Sequence, residues 1–71
     1  MQYNIGDIFI DISGFQQRTI LITEIYADSL GPIFNYYKLY ITPDGKHDRW
    51  SHNRLKMYID KGHLIYYPVV K

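Results

Sequence analysis

The chain has 71 residues, no cysteine and a formal net charge of +1, and its apolar residues are mainly Ile and Tyr. A domain of this size buries only about 60% of its unfolded surface, so without disulfides or thiolate zinc sites it needs dense apolar packing or a second subunit. Ile and Tyr favour strands, whereas Ala, the best helix former, occurs once. The composition therefore predicts a mainly β fold, with one domain over residues 1–71.

The first two predicted strands follow from alternation of apolar and polar residues. Residues 5–12 present two faces, one with Ile8, Ile10 and Ile12, the other with Asp7, Phe9 and Asp11. This period of two predicts a half-buried strand, with the two aspartates in solvent. Residues 18–27 predict a second strand in which Ile25 falls out of phase with Ile20 and Ile22, so we expect a β-bulge near Thr23 and Glu24.

A loop and a hairpin follow in the middle of the chain. Residues 28–35 contain the turn signal Gly31-Pro32 and an unusual number of apolar side chains, namely Leu30, Ile33 and Phe34. Such a loop either folds over the core or presents an apolar surface. Residues 36–42 predict a third strand and residues 46–50 a short fourth one, joined by a hairpin turn at Pro43-Asp44-Gly45.

A helix is predicted over about residues 52–61. Ser51 is a favourable N-cap, and Trp50 and Leu55 have the spacing of a hydrophobic staple. Gly62 is suited to ending the helix in the left-handed conformation. Residues 63–70 predict the last strand, in which Pro68 lies at an edge or beyond the paired segment because it lacks a backbone donor.

The order β-β-β-β-α-β, with short strands and tight turns, resembles an SH3-like barrel, in which a short helix precedes the final strand. The resemblance implies a small five-stranded barrel. The acidic aromatic stretch of peptide-binding SH3 domains is missing, so binding of proline-rich ligands is not expected. The closing segment, with Trp50-Ser51, Leu55, Ile59, Gly62 and Tyr66-Tyr67-Pro68, is also similar to small accessory proteins of bacteriophages and mobile elements.

Catalytic and metal-binding patterns are not found in the sequence. His47, His52 and His63 have spacings that match neither one helix face nor a zinc finger. Turn or capping roles account for the three serines, Ser13, Ser29 and Ser51. The five glycines are scattered and form no phosphate-binding loop. We therefore expect no enzymatic activity, no metal and no cofactor.

A basic segment supports nucleic-acid binding as an alternative. Residues 1–35 carry one basic and four acidic residues, whereas residues 36–71 carry seven basic and three acidic ones. This asymmetry is typical of a basic binding face, or of two halves that attract each other. The candidate nucleic-acid contacts are Lys46, Arg49, Arg54 and Lys56, interleaved with Trp50, because basic side chains bind phosphates and aromatic ones stack on bases.

Eight tyrosines exceed what so small a core can bury, and tyrosine is enriched at protein interfaces. Tyr36, Lys38 and Tyr40 share the strand face opposite Leu39 and Ile41. One of Tyr66 and Tyr67 must point away from the core, and Tyr3 and Tyr26 are expected to be exposed. The candidate protein-binding residues are Tyr36, Lys38, Tyr40, Trp50 and Tyr66.

The sequence therefore favours a non-enzymatic protein-binding module that covers and inhibits or modulates a partner. The resemblance to phage accessory proteins implies a host protein as that partner, and a homodimer is the other option. No basic stretch precedes an apolar run at the N-terminus, and no apolar segment approaches the roughly 20 residues of a membrane helix. We expect a cytoplasmic location, in a bacterial host if the chain is phage-derived.

Overall fold

The computed structural model describes residues 3–69 and contains five strands and one α-helix. In chain order the elements are β1 (Ile8–Asp11), β2 (Arg18–Tyr26), β3 (Tyr36–Thr42), β4 (Lys46–Ser51), α1 (His52–Asp60) and β5 (Leu64–Tyr67). A single 3-10 turn, Pro32–Phe34, lies between β2 and β3. All six predicted elements are present, although β1 and β5 are shorter than expected. Residue 70, in the predicted last strand, lies outside the described residues.

The strands form one open antiparallel sheet in the order β4-β3-β2-β1-β5. The mainly β prediction is confirmed. The two edge strands, β4 and β5, are separated in sequence only by the helix and its short connection. Helix α1 contacts both of them and thereby covers the core between the edges.

The bulge in β2 and the β3–β4 hairpin turn lie where the sequence predicts them. The register of β2 against β3 shifts between Ile22 and Glu24, which confirms the predicted bulge. The shift returns Ile25 to the side of the sheet that packs on the core. In the β3–β4 hairpin, the Thr42-Pro43 peptide is cis and Gly45 has φ 70°, a conformation that L side chains rarely adopt.

The orientation of β1 differs from the prediction. Asp7 and Asp11 are 0% and 4% exposed, and Phe9 between them is completely buried. Ile8 and Ile10 lie instead on the outer face of the sheet, where they are half-buried. Alternation defines two faces without saying which one is inside. Phe9 fills the core, and hydrogen bonds satisfy both carboxylates, so the acidic face can be the inner one.

The core is rich in aromatic rings. Tyr3, expected to be exposed, is 2% exposed and lies at its centre. Its ring makes edge-to-face contacts with Phe9, Tyr37 and Tyr66, at centroid distances of 5.6, 5.5 and 5.3 Å respectively. Such pairs stabilise a small core beyond the area they bury. The aromatic surplus is therefore partly a packing feature.

Helix α1 begins and ends as the sequence predicts. The Ser51 hydroxyl accepts a hydrogen bond from the Arg54 amide at 3.2 Å. Trp50 and Leu55, the predicted staple pair, are both buried. The helix ends before Gly62, whose φ of 77° is in the left-handed region. Stapling places the buried side of the helix against the sheet.

A substitution at Leu55 tests how much the helix contributes to the stability of the core. Its replacement by alanine should lower the free energy of unfolding by about 2–5 kcal/mol, because a fully buried side chain leaves a cavity. Urea denaturation followed by far-UV circular dichroism measures this change. The matched control is Met57→Ala on the exposed side of the same helix, which should change stability by about 0.5 kcal/mol or less. Equal losses in the two variants would contradict the packing described.

Candidate functional site

The loop at residues 28–35 is attached to the rest of the molecule through Asn35. The Asn35 side chain is buried, and its Oδ1 accepts a hydrogen bond from the Asp28 amide at 2.9 Å. Its backbone carbonyl accepts from the amide of His52, the first residue of α1, also at 2.9 Å. Asn35 therefore joins the two ends of the loop and ties them to the start of the helix.

Further hydrogen bonds fix the interior of this loop. The Asp28 carboxylate accepts from the Leu30 amide at 2.8 Å, and the Asp28 carbonyl accepts from the Gly31 amide at 3.1 Å. The Phe34 amide donates to the Gly31 carbonyl at 3.0 Å. Gly31 itself has φ 126°, which a residue with a Cβ would adopt only with strain. The backbone of the loop is thus held by its own polar groups.

The apolar side chains of the loop point away from the core. Leu30, Ile33 and Phe34 are 75%, 57% and 46% exposed. Two exposed tyrosines, Tyr26 and Tyr36, face each other across β2 and β3 at the foot of the loop. Together these five residues are called the loop surface. A shallow depression of about 350 Å³ runs along Ile33, Phe34 and Tyr36.

The outer face of β3 continues from the loop surface. Lys38 lies opposite Glu24 and Arg49 in the register of the sheet, and its Nζ is 3.9 Å from Glu24 Oε1. Tyr40 is half-buried, with its ring centroid 5.0 Å from that of His47. The predicted grouping of Tyr36, Lys38 and Tyr40 on one strand face is confirmed by their alternation with buried neighbours.

The other two candidate contacts, Trp50 and Tyr66, face the core. Trp50 is 6% exposed, and its Nε1 donates to Asp48 Oδ2 at 3.0 Å. Tyr66 packs against Phe9 with ring centroids 5.1 Å apart, whereas its neighbour Tyr67 is exposed. Both residues therefore have packing roles, and neither offers a broad face to a partner.

The four candidate nucleic-acid contacts lie on different parts of the molecule. Arg49 lies on the outer face of the sheet, 4.7 Å above the Tyr26 ring. Arg54 stacks on Trp50 at 4.4 Å, and Lys56 pairs with Asp60 at 2.7 Å. Lys46 is exposed beside the β3–β4 turn. Residues 54 and 56 project from opposite sides of a helix, so these cations do not follow one track.

A buried carboxylate joins the two ends of the described chain. Asp7 accepts hydrogen bonds from the Asn4 amide at 2.8 Å, the Val69 amide at 2.8 Å and the Tyr66 hydroxyl at 2.6 Å. Burial, and the hydrogen bond to this carboxylate, raise the pKa of Tyr66 well above its ordinary value. Asp7, which the sequence analysis places in solvent, is therefore a buried structural residue that connects distant parts of the chain.

The three histidines lie in different surroundings. His52 is buried, with Nδ1 3.1 Å from the Tyr37 hydroxyl. Its burial, reinforced by the charge of Lys56, lowers its pKa. His63 follows the helix and stacks near Tyr58, whereas the His47 ring lies next to that of Tyr40. In residues 3–69, no three His, Asp or Glu side chains converge on a metal-sized site.

Comparisons with models of known protein families, with curated proteins and with solved structures find no match to this chain. Within the described part of the chain, no helix is long and apolar enough to cross a bilayer. A function must therefore be inferred from the surface and clefts of the molecule itself. Sequence reasoning identified the apolar loop but missed its attachment through Asn35; Asp28, a residue type that often bonds its own turn, was the available signal.

Asp11 should make stability depend on pH. Burial alone would raise its pKa, but hydrogen bonds from Ser13 and the ion pair with Arg18, 2.6 Å away, outweigh burial and lower it. A lowered pKa in the folded state stabilises the protein above the unfolded value of about 3.9, and this contribution is lost as the pH falls through the folded value. Urea denaturation at pH 7 and pH 3 should show a smaller acid-induced loss in Asp11→Asn than in the wild type. Equal losses would contradict the assignment.

Proposed function

We propose that the chain is a non-enzymatic protein-binding module and that the loop surface is its principal contact. The proposal is supported by one observation above all. Three large apolar side chains are held in solvent by a loop whose backbone is fixed by hydrogen bonds. Exposed apolar patches of this kind mark interaction sites in small proteins. A fixed loop also loses little conformational entropy when it binds, which favours affinity.

The composition of the surface suits a protein partner. Tyr36 adds exposed aromatic area with a polar tip at the foot of the apolar loop, and Tyr26 opposite it carries the Arg49 guanidinium over its ring. Tyr and Arg are both enriched at the centres of interfaces. The rim beside the two tyrosines is positively charged, because Arg49 forms no ion pair with any residue between 3 and 69, and Lys38 is only weakly paired. A matching partner would have an apolar pocket bordered by acidic groups.

The proposed fold assignment is an SH3-like barrel. It is supported by the strand order, in which the last strand lies beside the first, and by the short helix before the last strand. A further support is the bulge in β2, because β-bulges bend strands and increase their twist, which the closure of a barrel requires. Following the resemblance to phage and mobile-element accessory proteins, we propose a host protein as the partner, whose working surface the module covers.

The alternative, nucleic-acid binding through the basic segment, has less support. A strand-tracking site needs several cations along one groove and aromatic faces free for stacking. Arg49 and Arg54 lie on separate surfaces, and Arg54 covers the ring of Trp50. These separated cations are better suited to isolated contacts than to binding along a nucleic-acid strand.

Site-specific photo-crosslinking tests the proposal. A photoreactive phenylalanine analogue at position 34, expressed in the host cell, should form a crosslink to a specific protein. An excess of the unmodified chain should suppress this crosslink, whereas an excess of a Leu30→Ser, Ile33→Ser variant should not. Both substitutions are at exposed positions, so the variant should keep the stability of the wild type to within about 1 kcal/mol.

Phe15 provides the matched control, because it is a fully exposed phenylalanine on the β1–β2 loop, outside the loop surface. The same analogue at position 15 should not yield the product. Identical products from positions 15 and 34, or none from position 34, would contradict the proposal. A crosslink only between two copies of the chain would show self-association and would overturn the host-protein partner.

A further inference from the structure

A polar cleft of about 310 Å³ lies on the side of α1 opposite the loop surface. One wall is formed by Trp50 and Tyr58, whose ring centroids are 5.3 Å apart. The other wall contains Asp11 and Arg18, at the base of the β1–β2 loop. The cleft therefore combines aromatic surface with charged groups in a small volume, a combination that none of the roles described above requires.

Arg54 is held in this cleft by stacking. Its guanidinium carbon is 4.4 Å from the centroid of Trp50 and 5.6 Å from that of Tyr58. Within residues 3–69, no carboxylate lies within ion-pair distance of this guanidinium. A stacked guanidinium keeps the donors along its edge available for a planar or tetrahedral anion.

The acids near Arg54 have other partners. Asp48 accepts hydrogen bonds from the Arg49 amide at 2.7 Å and from Trp50 Nε1 at 3.0 Å. Asp11 accepts from Ser13 and from Arg18, both at 2.6 Å. Hydrogen bonds from the Arg49 amide and from Trp50, together with the nearby charge of Arg54, lower the pKa of Asp48. Arg54 itself makes no ion pair within residues 3–69, so the donors of its guanidinium are left for a ligand.

His63 adds a second donor to the same cleft. Its ring stacks on Tyr58 with centroids 5.9 Å apart and lies on the cleft lining together with Arg54. Arg54 and His63 therefore both contact the Tyr58 ring. Side chains held by aromatic contacts lose little conformational entropy when they bind a ligand.

We infer that this cleft binds a single oxyanion group, a carboxylate or a phosphate, with Arg54 as its bidentate donor. The volume admits one such group rather than a run of nucleotides. Because Arg54 covers Trp50, the cleft offers no indole face for base stacking. The inference is independent of the proposed protein-binding function, since the two surfaces share no residue.

Nuclear magnetic resonance titration tests this inference with defined probes. Sodium phosphate and sodium acetate are added separately to the ¹⁵N-labelled chain, with sodium chloride used to keep the ionic strength constant. The Arg54 Nε–H and Trp50 Nε1–H signals should shift and saturate. Tighter binding in one arm identifies the preferred group. Arg54→Gln should raise the dissociation constant about tenfold or more, because it removes charged hydrogen bonds.

Lys56→Gln is the matched control, since Lys56 projects from the other side of α1 and is paired with Asp60. This variant should bind the probes as the wild type does. Shifts that never saturate with either probe, or Arg54→Gln binding that equals the wild type, would overturn the inference. Binding of single-stranded DNA far tighter than phosphate, with steep salt dependence, would overturn the single-group assignment in favour of a polymer.

Discussion

The buried residue Asn35 connects three parts of the molecule, namely the two ends of the β2–β3 loop and the start of α1. Its side chain holds the start of the β2–β3 loop through the Asp28 amide, and its carbonyl holds the first amide of α1. Without this side chain, the start of the loop would lose the hydrogen bond that ties it to the end of the loop. Because a buried amide must satisfy its polar groups, Asn35 favours one loop conformation over many. The exposed apolar residues are consequently presented in a fixed arrangement.

A chain of contacts relates this loop to the opposite end of the domain. Asp7 bonds the Tyr66 hydroxyl, and Tyr66 packs on Tyr3. Tyr3 lies 5.1 Å from the ring of His52, whose amide donates to Asn35. A domain with no disulfide thus depends on aromatic packing around a few satisfied polar groups. Many of its tyrosines belong to that core, which leaves Tyr26 and Tyr36 as the members that serve the loop surface.

Local features of the fold could be read from the sequence because each depends on neighbouring residues. The Ser51 cap, the Gly45 turn and the bulge after Ile22 are examples. The predictions that failed concern residues whose contacts are distant in sequence. Asp7 is buried because Tyr66 and Val69, about 60 residues later, supply its donors. The prediction that Tyr3 is exposed was wrong for the same reason, because the partners of Tyr3 come from four different elements. Among the candidate contacts, alternation correctly placed Tyr36, Lys38 and Tyr40 on one strand face. It gave no sign that Trp50 and Tyr66 pack on the core, because aromatic content alone does not distinguish core from interface.

Amide hydrogen exchange at Asp28 tests the central claim, that the apolar loop is held to the core through Asn35. Asp28 is an exposed residue whose amide donates to Asn35 Oδ1, so the protection of this amide reports on that bond. Exchange at Asp28 should be slow in the wild type. In Asn35→Ala, exchange at Asp28 should become fast while the amides in the centre of β2 and β3 stay protected. Exchange at Asp28 as fast as in an unstructured chain, in the wild type itself, would contradict the account.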